Sequence, residues 1–370
     1  MKTPQNGRRA LASTLRMRRS VSRRSPFENA PARVYWEVTG ACDLACRHCR
    51  AEASPCADPS ELSTRAAKHM LAQLAEAAPK PHVVFTGGDP LKRADLFELI
   101  DFARSLGLLV SVSPSATPLL TDDAIDRLAA AGVSAISLSI DRATAADHDA
   151  LRGVPGCFAR TMAAACRARE AGLPFQVNTL VSRETIGDME AMDALVRSIG
   201  AARWSLFFLV AVGRGTVLEP IEAAEAERLL VWLASRGKQP GLVVTTTEAP
   251  FFRRVMLEQR RATGEASAAP GHSPGIRDGN GVMFIARDGS ISPSGFLPLS
   301  AGNAKLENPL RVYRESSLFR SLRDVDGFHG RCSRCEYRAV CGGSRARAFT
   351  ATGDPLAEDP LCVHVPASPA

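Results

Sequence analysis

Seven of the ten cysteines fall into two groups whose spacing suits metal ligation, Cys42/Cys46/Cys49 and Cys332/Cys335/Cys341/Cys362. A disulfide framework belongs to short secreted chains, whereas this one has 370 residues, so two metal sites in a reducing compartment explain the grouping better. Cys56, Cys157 and Cys166 lie outside both groups and read as small, partly buried thiols. In Cys42-x3-Cys46-x2-Cys49, three thiolates on a loop can hold an iron-sulfur cubane and leave its remaining iron without a protein ligand, open to a substrate or cofactor. Zinc is the competing metal, but three-Cys zinc sites usually add a His, and His48 is poorly placed between two ligands. The second group offers four thiolates and hence a closed site, for which spacing leaves zinc and iron-sulfur equally open.

These residues need a scaffold. Between residues 34 and 211, short β-branched or apolar runs alternate with longer amphipathic stretches, the pattern of repeated βα units and a parallel sheet. Strands are predicted at Val34–Val38, His82–Thr86, Leu108–Ser113, Ala135–Ile140, Phe175–Val181 and Trp204–Val210. Helices are predicted at Thr64–Ala78, Asp95–Ser105, Asp122–Ala131, Ala159–Ala171, Thr185–Ile199 and Ile221–Ser235. The fold class is therefore α/β, a partial (β/α)6 TIM-type barrel, with the first cysteine group and the polar residues below at the C-terminal ends of strands, where such barrels do chemistry. Ser267–Gly281 is rich in Gly, Pro, Ser and Ala and reads as a linker or lid. Val282–Ile291 reads as a hairpin across Asp288-Gly289 that opens the second cysteine module. The expected organisation is a basic unstructured tail over 1–30, the barrel over 31–236, a connecting or lid segment over 237–280 and a cysteine-rich module over 281–370.

The run Trp36–Cys49 (WEVTGACDLACRHC) closely resembles the signature of the radical S-adenosylmethionine (SAM) superfamily. The resemblance implies that the open iron of a 4Fe-4S cluster on Cys42, Cys46 and Cys49 chelates SAM. One electron then splits the sulfonium bond, giving methionine and a 5'-deoxyadenosyl radical that abstracts hydrogen from a substrate. Thr86-Gly87-Gly88-Asp89-Pro90 follows the second strand, where two glycines let backbone approach a ligand closely with carbonyls free as acceptors. It matches the family element that receives the methionine ammonium, which makes Gly87, Gly88 and Asp89 candidate SAM contacts. Ser139 and Asn178 are further candidates for ribose and carboxylate contacts, with Ser113, Ser115 and Asp141 nearby in strand ends. Leu138–Phe158 resembles another family stretch, in which Arg152 could pair with the SAM carboxylate; a surface salt bridge is the alternative. Gly213-Arg214-Gly215 matches an element that lies against the adenine. No protein acid or base is assigned, because hydrogen abstraction by a radical needs none.

Cys332–Cys362 resembles the SPASM/Twitch iron-sulfur modules of radical SAM maturases, nearest to those of the haem d1 and alternative haem pathways. This breaks the tie in favour of an auxiliary 4Fe-4S cluster on Cys332, Cys335, Cys341 and Cys362. The chain departs from the full pattern at Ser294 and Ser344, where ligands of a second auxiliary cluster would stand, so a single auxiliary cluster is expected. Being closed, it would pass electrons rather than bind substrate.

The net charge of +7 is misleading until it is located: residues 1–30 hold eight Lys and Arg against one acid, Glu28, so the rest of the chain is balanced. That argues against a nucleic-acid face on the folded part. The tail resembles a transit peptide in composition, but a disordered extension explains it equally well. No signal-peptide pattern opens the chain and no apolar run is long enough to cross a bilayer, which points to a cytoplasmic protein. The expected electron donor is reduced flavodoxin or ferredoxin. Tetrapyrrole side-chain removal or oxidation is the leading reaction and ribosomal-peptide modification the second. A non-catalytic iron-sulfur or zinc-binding protein is the alternative from another class, with no use for an open three-Cys site beside a Gly-Gly-Asp loop.

Overall fold

The computed structural model describes residues 25–237, 240–264 and 275–367. Strands β1 (Arg33–Thr39), β2 (His82–Gly87), β3 (Leu109–Val112), β4 (Ala135–Ser139), β5 (Phe175–Val181), β6 (Arg203–Phe208) and β7 (Val243–Thr247) pair in parallel in chain order. The helices between them are α1 (Thr64–Leu74), α2 (Leu96–Ser105), α3 (Asp122–Ala130), α4 (Ala145–Arg152), α5 (Cys157–Glu170), α6 (Met189–Ser198) and α7 (Ala223–Arg236). Sequential right-handed βα crossovers put all helices on one side, so the sheet curls with its other face inward. The six predicted strands and their helices are present, with ends shifted by a few residues. β7 is an addition inside the stretch expected to be a connector, which also holds α8 (Phe252–Ala262).

Strand alternation sorts the barrel into two faces. Val34, Trp36, Val83, Phe85, Ile136, Leu138, Val177, Trp204 and Leu206 are fully or almost fully buried in the main apolar core. Their neighbours Arg33, Tyr35, His82, Thr86, Ser137, Ser139, Gln176, Asn178, Arg203, Phe207, Thr245 and Thr247 point to the concave side and keep partial solvent access. A TIM-type interior is normally filled with branched apolar layers. This lumen is polar.

The Val282–Ile291 hairpin forms as β8 (Val282–Ile285) and β9 (Ser290–Ser292), and β10 (Gly302–Asn303) follows. It does more than open the second module: β8 pairs in parallel with β1, so one ten-stranded sheet runs β10-β9-β8-β1-β2-β3-β4-β5-β6-β7. The C-terminal helices α9 (Pro309–Glu315), α10 (Ser317–Arg323), α11 (Gly330–Arg334) and α12 (Arg345–Thr352) complete the chain.

Two boundaries differ from expectation. The tail taken as unstructured to residue 30 is packed from Ser25, whose hydroxyl donates to Asn280 Oδ1 at 2.6 Å. Of the lid assigned to Ser267–Gly281, residues 267–274 lie outside the described residues. Residues 275–281 are a buried brace: Arg277 Nη1 and Asn280 Nδ2 both donate to the Gly275 carbonyl, at 3.0 and 2.8 Å.

Candidate active site

The loop carrying Cys42, Cys46 and Cys49 leaves the C-terminal end of β1 and is clasped from several directions. Cys42 N donates to Ser54 O at 2.7 Å, folding the loop onto itself. From the β2 turn, Gly88 N donates to Thr39 O and Asp89 N to Ala41 O, at 2.8 and 2.6 Å. A Cβ on Gly87 would lie 2.3 Å from Thr39 O and one on Gly88 2.4 Å from Ala41 O, so this approach requires glycine. From the end of α4, the Leu151 and Arg152 carbonyls accept from Arg47 N and Ala45 N at 3.0 and 3.2 Å. From beyond β6, Arg214 binds Cys46 O and Ala53 O through its guanidinium, each at 3.0 Å. The Gly213-Arg214-Gly215 element therefore grips the cysteine loop.

Each of the three sulfurs has a nitrogen neighbour: Leu44 N lies 3.4 Å from Cys42, Arg152 Nη1 3.7 Å from Cys46, and Ala53 N 3.5 Å from Cys49. Burial pushes the Cys42 and Cys46 thiols above their ordinary range, with Arg152 opposing it at Cys46. Buried sulfurs facing N–H donors fit metal thiolates, because bound iron supplies the positive charge that deprotonation there lacks.

Arg152 is no surface salt bridge. It is buried, and its Nη2 lies 2.5 Å from Asp141 Oδ2. Asp141 also accepts from Leu180 N at 2.8 Å. Burial alone would raise its carboxyl, but Arg152 first, then His48, His148 and the Leu180 N–H, together hold it down to about 2. His48 Nε2 sits 3.8 Å from the same carboxylate, and burial lowers His48 to about 4. Arg152 and Ser139 line one cavity at the strand ends with Leu44, Ser115, Cys157 and Thr161. Arg152 Nε, buried and without a partner among the described residues, is a donor left over for a ligand.

The other candidates take different places. Asn178 is the register partner of Ser139 on the neighbouring strand and accepts from Gln176 Nε2 at 2.6 Å. The Gly88 carbonyl, expected to be free, is occupied by the Ser115 hydroxyl at 2.7 Å. Asp89 has no exposed surface, and its oxygens accept from Leu91 N, Ser115 N and Thr117 Oγ1 at 3.2, 3.2 and 2.6 Å. Its side chain is thus engaged by the protein's own donors and fixes the turn that carries Gly87 and Gly88.

Cys332, Cys335, Cys341 and Cys362 line a common cavity with Arg254, Tyr337 and His364. Tyr337 N and Gly343 N lie 3.4 Å from the Cys335 and Cys341 sulfurs, and Arg345 Nη2 lies 3.9 Å from Cys332. Burial pushes Cys341 up to about 12 and Cys362 up to about 11. A zinc tetrahedron sets its sulfurs about 3.8 Å apart. Among the described residues, only His148/Asp149/Cys157 and Cys335/Glu336/His364 place three ligand atoms all within 4.8 Å of one another, so neither cysteine group has closed to zinc dimensions. Ser294 and Ser344 are buried and used otherwise: Ser294 Oγ accepts from Phe296 N at 3.3 Å, and Ser344 Oγ caps α12.

Sequence reasoning missed Glu248. It follows β7 in left-handed backbone (φ 59°), shares a short hydrogen bond with Ser344, and is pushed well above the carboxylate range by burial and by Asp278. Asp278 in turn accepts from Arg345 N and Ala346 N, each at 3.0 Å. Nothing in the local sequence marks this pair, which only the packing of the C-terminal module on β7 brings together.

The radical SAM superfamily matches residues 36–196, the span from β1 to α6 that carries the first cysteine loop. An AdoMet-dependent heme synthase of Methanosarcina barkeri is 38% identical over 91% of this chain and 98% of its own. The chain belongs to the radical SAM superfamily. It is therefore an enzyme that works with SAM and a 4Fe-4S cluster. The radical SAM relatives include mycofactocin maturase MftC of Mycobacterium tuberculosis, 31% identical over 92% of this chain and 85% of that one. Among solved structures, SuiB of Streptococcus suis bound to S-adenosylmethionine shares the fold, with a TM-score of 0.69 at 17% identity over 91% of this chain and 78% of that one. Among the described residues, no helix is long and apolar enough to cross a membrane.

Proposed function

We propose that this radical SAM enzyme removes or oxidises a propionate or acetate side chain of a tetrapyrrole. The observation that carries the reading is the end-to-end match, at 38% identity, to a relative named as a heme synthase, against 31% for the maturase. The cluster and SAM supply one-electron cleavage of a sulfonium bond and, through it, hydrogen abstraction. The chain's own residues do the rest. Cys42, Cys46 and Cys49 would hold the SAM-binding cluster, in a loop fixed by Gly88, Arg152 and Arg214. Arg152 and Ser139 face the cavity beside that loop, and Asn178 stands next to Ser139; these three are the side chains proposed to meet SAM. The neighbouring lumen is polar and partly solvated, which suits a substrate carrying several ionised groups better than an apolar one.

Cys332, Cys335, Cys341 and Cys362 would hold one auxiliary 4Fe-4S cluster, supported by the backbone donors at their sulfurs and by a cage wider than zinc needs. With all four positions filled by protein its role is electron transfer, and reduced flavodoxin or ferredoxin is the proposed external donor.

The test uses anaerobically reconstituted protein with dithionite and SAM. Iron should number roughly eight per chain, as two cubanes require. 5'-Deoxyadenosine should form in wild type and not in Cys42→Ala, and a porphyrin bearing propionates should lose the mass of a carboxyl group. Zinc in place of iron, or equal nucleoside from both proteins, would refute the cluster assignment. Nucleoside formation with no porphyrin altered, but with a peptide changed, would shift the substrate to the maturase class.

A further inference from the structure

The lower end of the barrel lumen, opposite the SAM-binding loop, holds charges that no other described residue pairs. Arg33 opens β1 and Arg203 opens β6, and both alternate with core residues (Val34 and Trp204) that point outward. Both therefore face the lumen at its N-terminal end, half-buried. Arg33 is the register partner of His82 on β2, while Arg203 lies between Gln176 of β5 and Val243 of β7. In the sheet order, β1 and β6 are separated by four strands, so these guanidiniums can approach each other only across the lumen. Arg33 is near enough for its charge to be felt at Arg203, which burial first and then that charge lower, and the same two arginines add to burial in lowering His82 to about 4.

No hydrogen bond or ion pair joins either guanidinium to any other described residue. The contrast with their neighbours is informative. Glu37, the acid on the same face of β1, is taken by Arg50 at 3.0 Å and Arg287 at 3.1 Å. Arg253, which also feels Arg33, donates to the Val340 and Ile276 carbonyls at 3.2 and 2.6 Å. Two like charges on the half-buried inner face, with no carboxylate bonded to either among the described residues, destabilise the fold unless an anion from outside completes them. Arginine is also the side chain whose planar fork matches a carboxylate.

We propose that Arg33 and Arg203 form a carboxylate-anchoring site at the lower end of the lumen, gripping ionised side chains of the substrate while its reacting side chain reaches the SAM end. The general claim, a site for a polycarboxylate, stands on the two guanidiniums; its identification with the propionates of a tetrapyrrole rests on the function proposed above. His82, uncharged and hydrogen-bonded to Ser111 at 2.8 Å, and Tyr35, next on the inner face of β1, supply the polar wall between the two cations.

The experiment compares wild type, Arg33→Gln/Arg203→Gln and Arg33→Lys/Arg203→Lys, each reconstituted with its clusters. Binding of a free-base porphyrin with four propionates and of its tetramethyl ester is followed by fluorescence, and thermal midpoints are read with and without glutarate. Wild type should bind the acid far more tightly than the ester. The Gln pair should bind the acid about ten- to a hundredfold more weakly and lose the discrimination, and the Lys pair should keep part of it. The thermal midpoint of the Gln pair without ligand should equal or exceed that of wild type, since two repelling charges are gone. Equal binding of the acid by wild type and the Gln pair overturns the proposal, and so does a lower midpoint, which would assign the arginines to the fold. If wild type binds neither porphyrin but glutarate raises its midpoint and not that of the Gln pair, the anchor stands and the tetrapyrrole reading falls. If neither probe separates the two proteins, the anchor is refuted.

Discussion

Asp141→Asn tests how the first cysteine loop is held. The side chain keeps its shape and its contact with Leu180 N but loses the charge opposite Arg152, 2.5 Å away in a buried pair. Lowering the carboxyl from 3.8 to about 2 corresponds to roughly 2.5 kcal/mol of stability at neutral pH. Neutralising one partner also leaves the Arg152 guanidinium buried beside Cys46 without a counter-charge, a situation that costs about 3–5 kcal/mol. The expected loss therefore lies between these figures and should be read by urea denaturation of the reduced, cluster-free chain, followed through the buried Trp36 and Trp204. In an Arg152→Gln background the same change should cost under about 1 kcal/mol, since no buried cation remains to be stranded. The sign with pH is fixed by the lowered value: wild type has this contribution above about pH 4 and loses it as pH falls toward 2, while Asp141→Asn has none to lose, so the gap narrows in acid. A loss below about 1 kcal/mol at pH 7, or purely additive effects in the double variant, would show that the pair does not hold the loop.

Gly88→Ala would place a methyl group 2.4 Å from the Ala41 carbonyl, forcing the cysteine loop to move; reconstituted protein should lose the first cluster's share, about four of roughly eight irons, counted against protein. Cys341→Ala should remove a similar share from the other cage while 5'-deoxyadenosine formation persists, and loss of all iron would mean the two cages are not independent. Glu248→Gln mimics the protonated carboxyl; because the folded value is raised, wild type loses stability as pH rises above about 4.5, by up to about 1.4 kcal/mol per pH unit, and the variant should not. Thermal midpoints of the two proteins from pH 5 to pH 8 should therefore diverge in the variant's favour, and parallel curves would refute the neutral-carboxyl assignment.

What the chain announces in advance is whatever depends on local pattern. The βα alternation placed β1 to β6, and thiolate spacing located both cages, since each is built from residues a few positions apart plus Cys362. β7 escaped because Val243–Thr247 is short, with three threonines in five residues and Thr245 and Thr247 turned to a polar lumen, so no apolar run marks it. The Gly-Gly-Asp turn was legible as a close approach of backbone, but the partner of that approach was not: the glycines meet the Thr39 and Ala41 carbonyls of the cysteine loop. Arg152 was legible as a charged residue near the site, yet whether it lay on the surface or in the core depended on α4, which the apolar pattern does not show. Arg33 and Arg203 carry no local signal at all, because their meaning arises only when six strands curl and bring two strand starts face to face.

The C-terminal module is best understood as part of the barrel wall. A seven-stranded parallel sheet leaves β7 as an edge, with unpaired backbone on one side. The module docks just beyond the end of that strand: Arg347 Nη2 donates to the Glu248 carbonyl at 2.7 Å, Ser344 bonds the Glu248 carboxyl, and Val210 after β6 shares an apolar cluster with Leu297, Leu322 and Ala346. On the other flank, β8 extends the sheet from β1 and leads into the same module. The module thus contacts both flanks of the sheet, and Val340, next to Cys341, accepts from Arg253, a residue whose surroundings include the charge of Arg33.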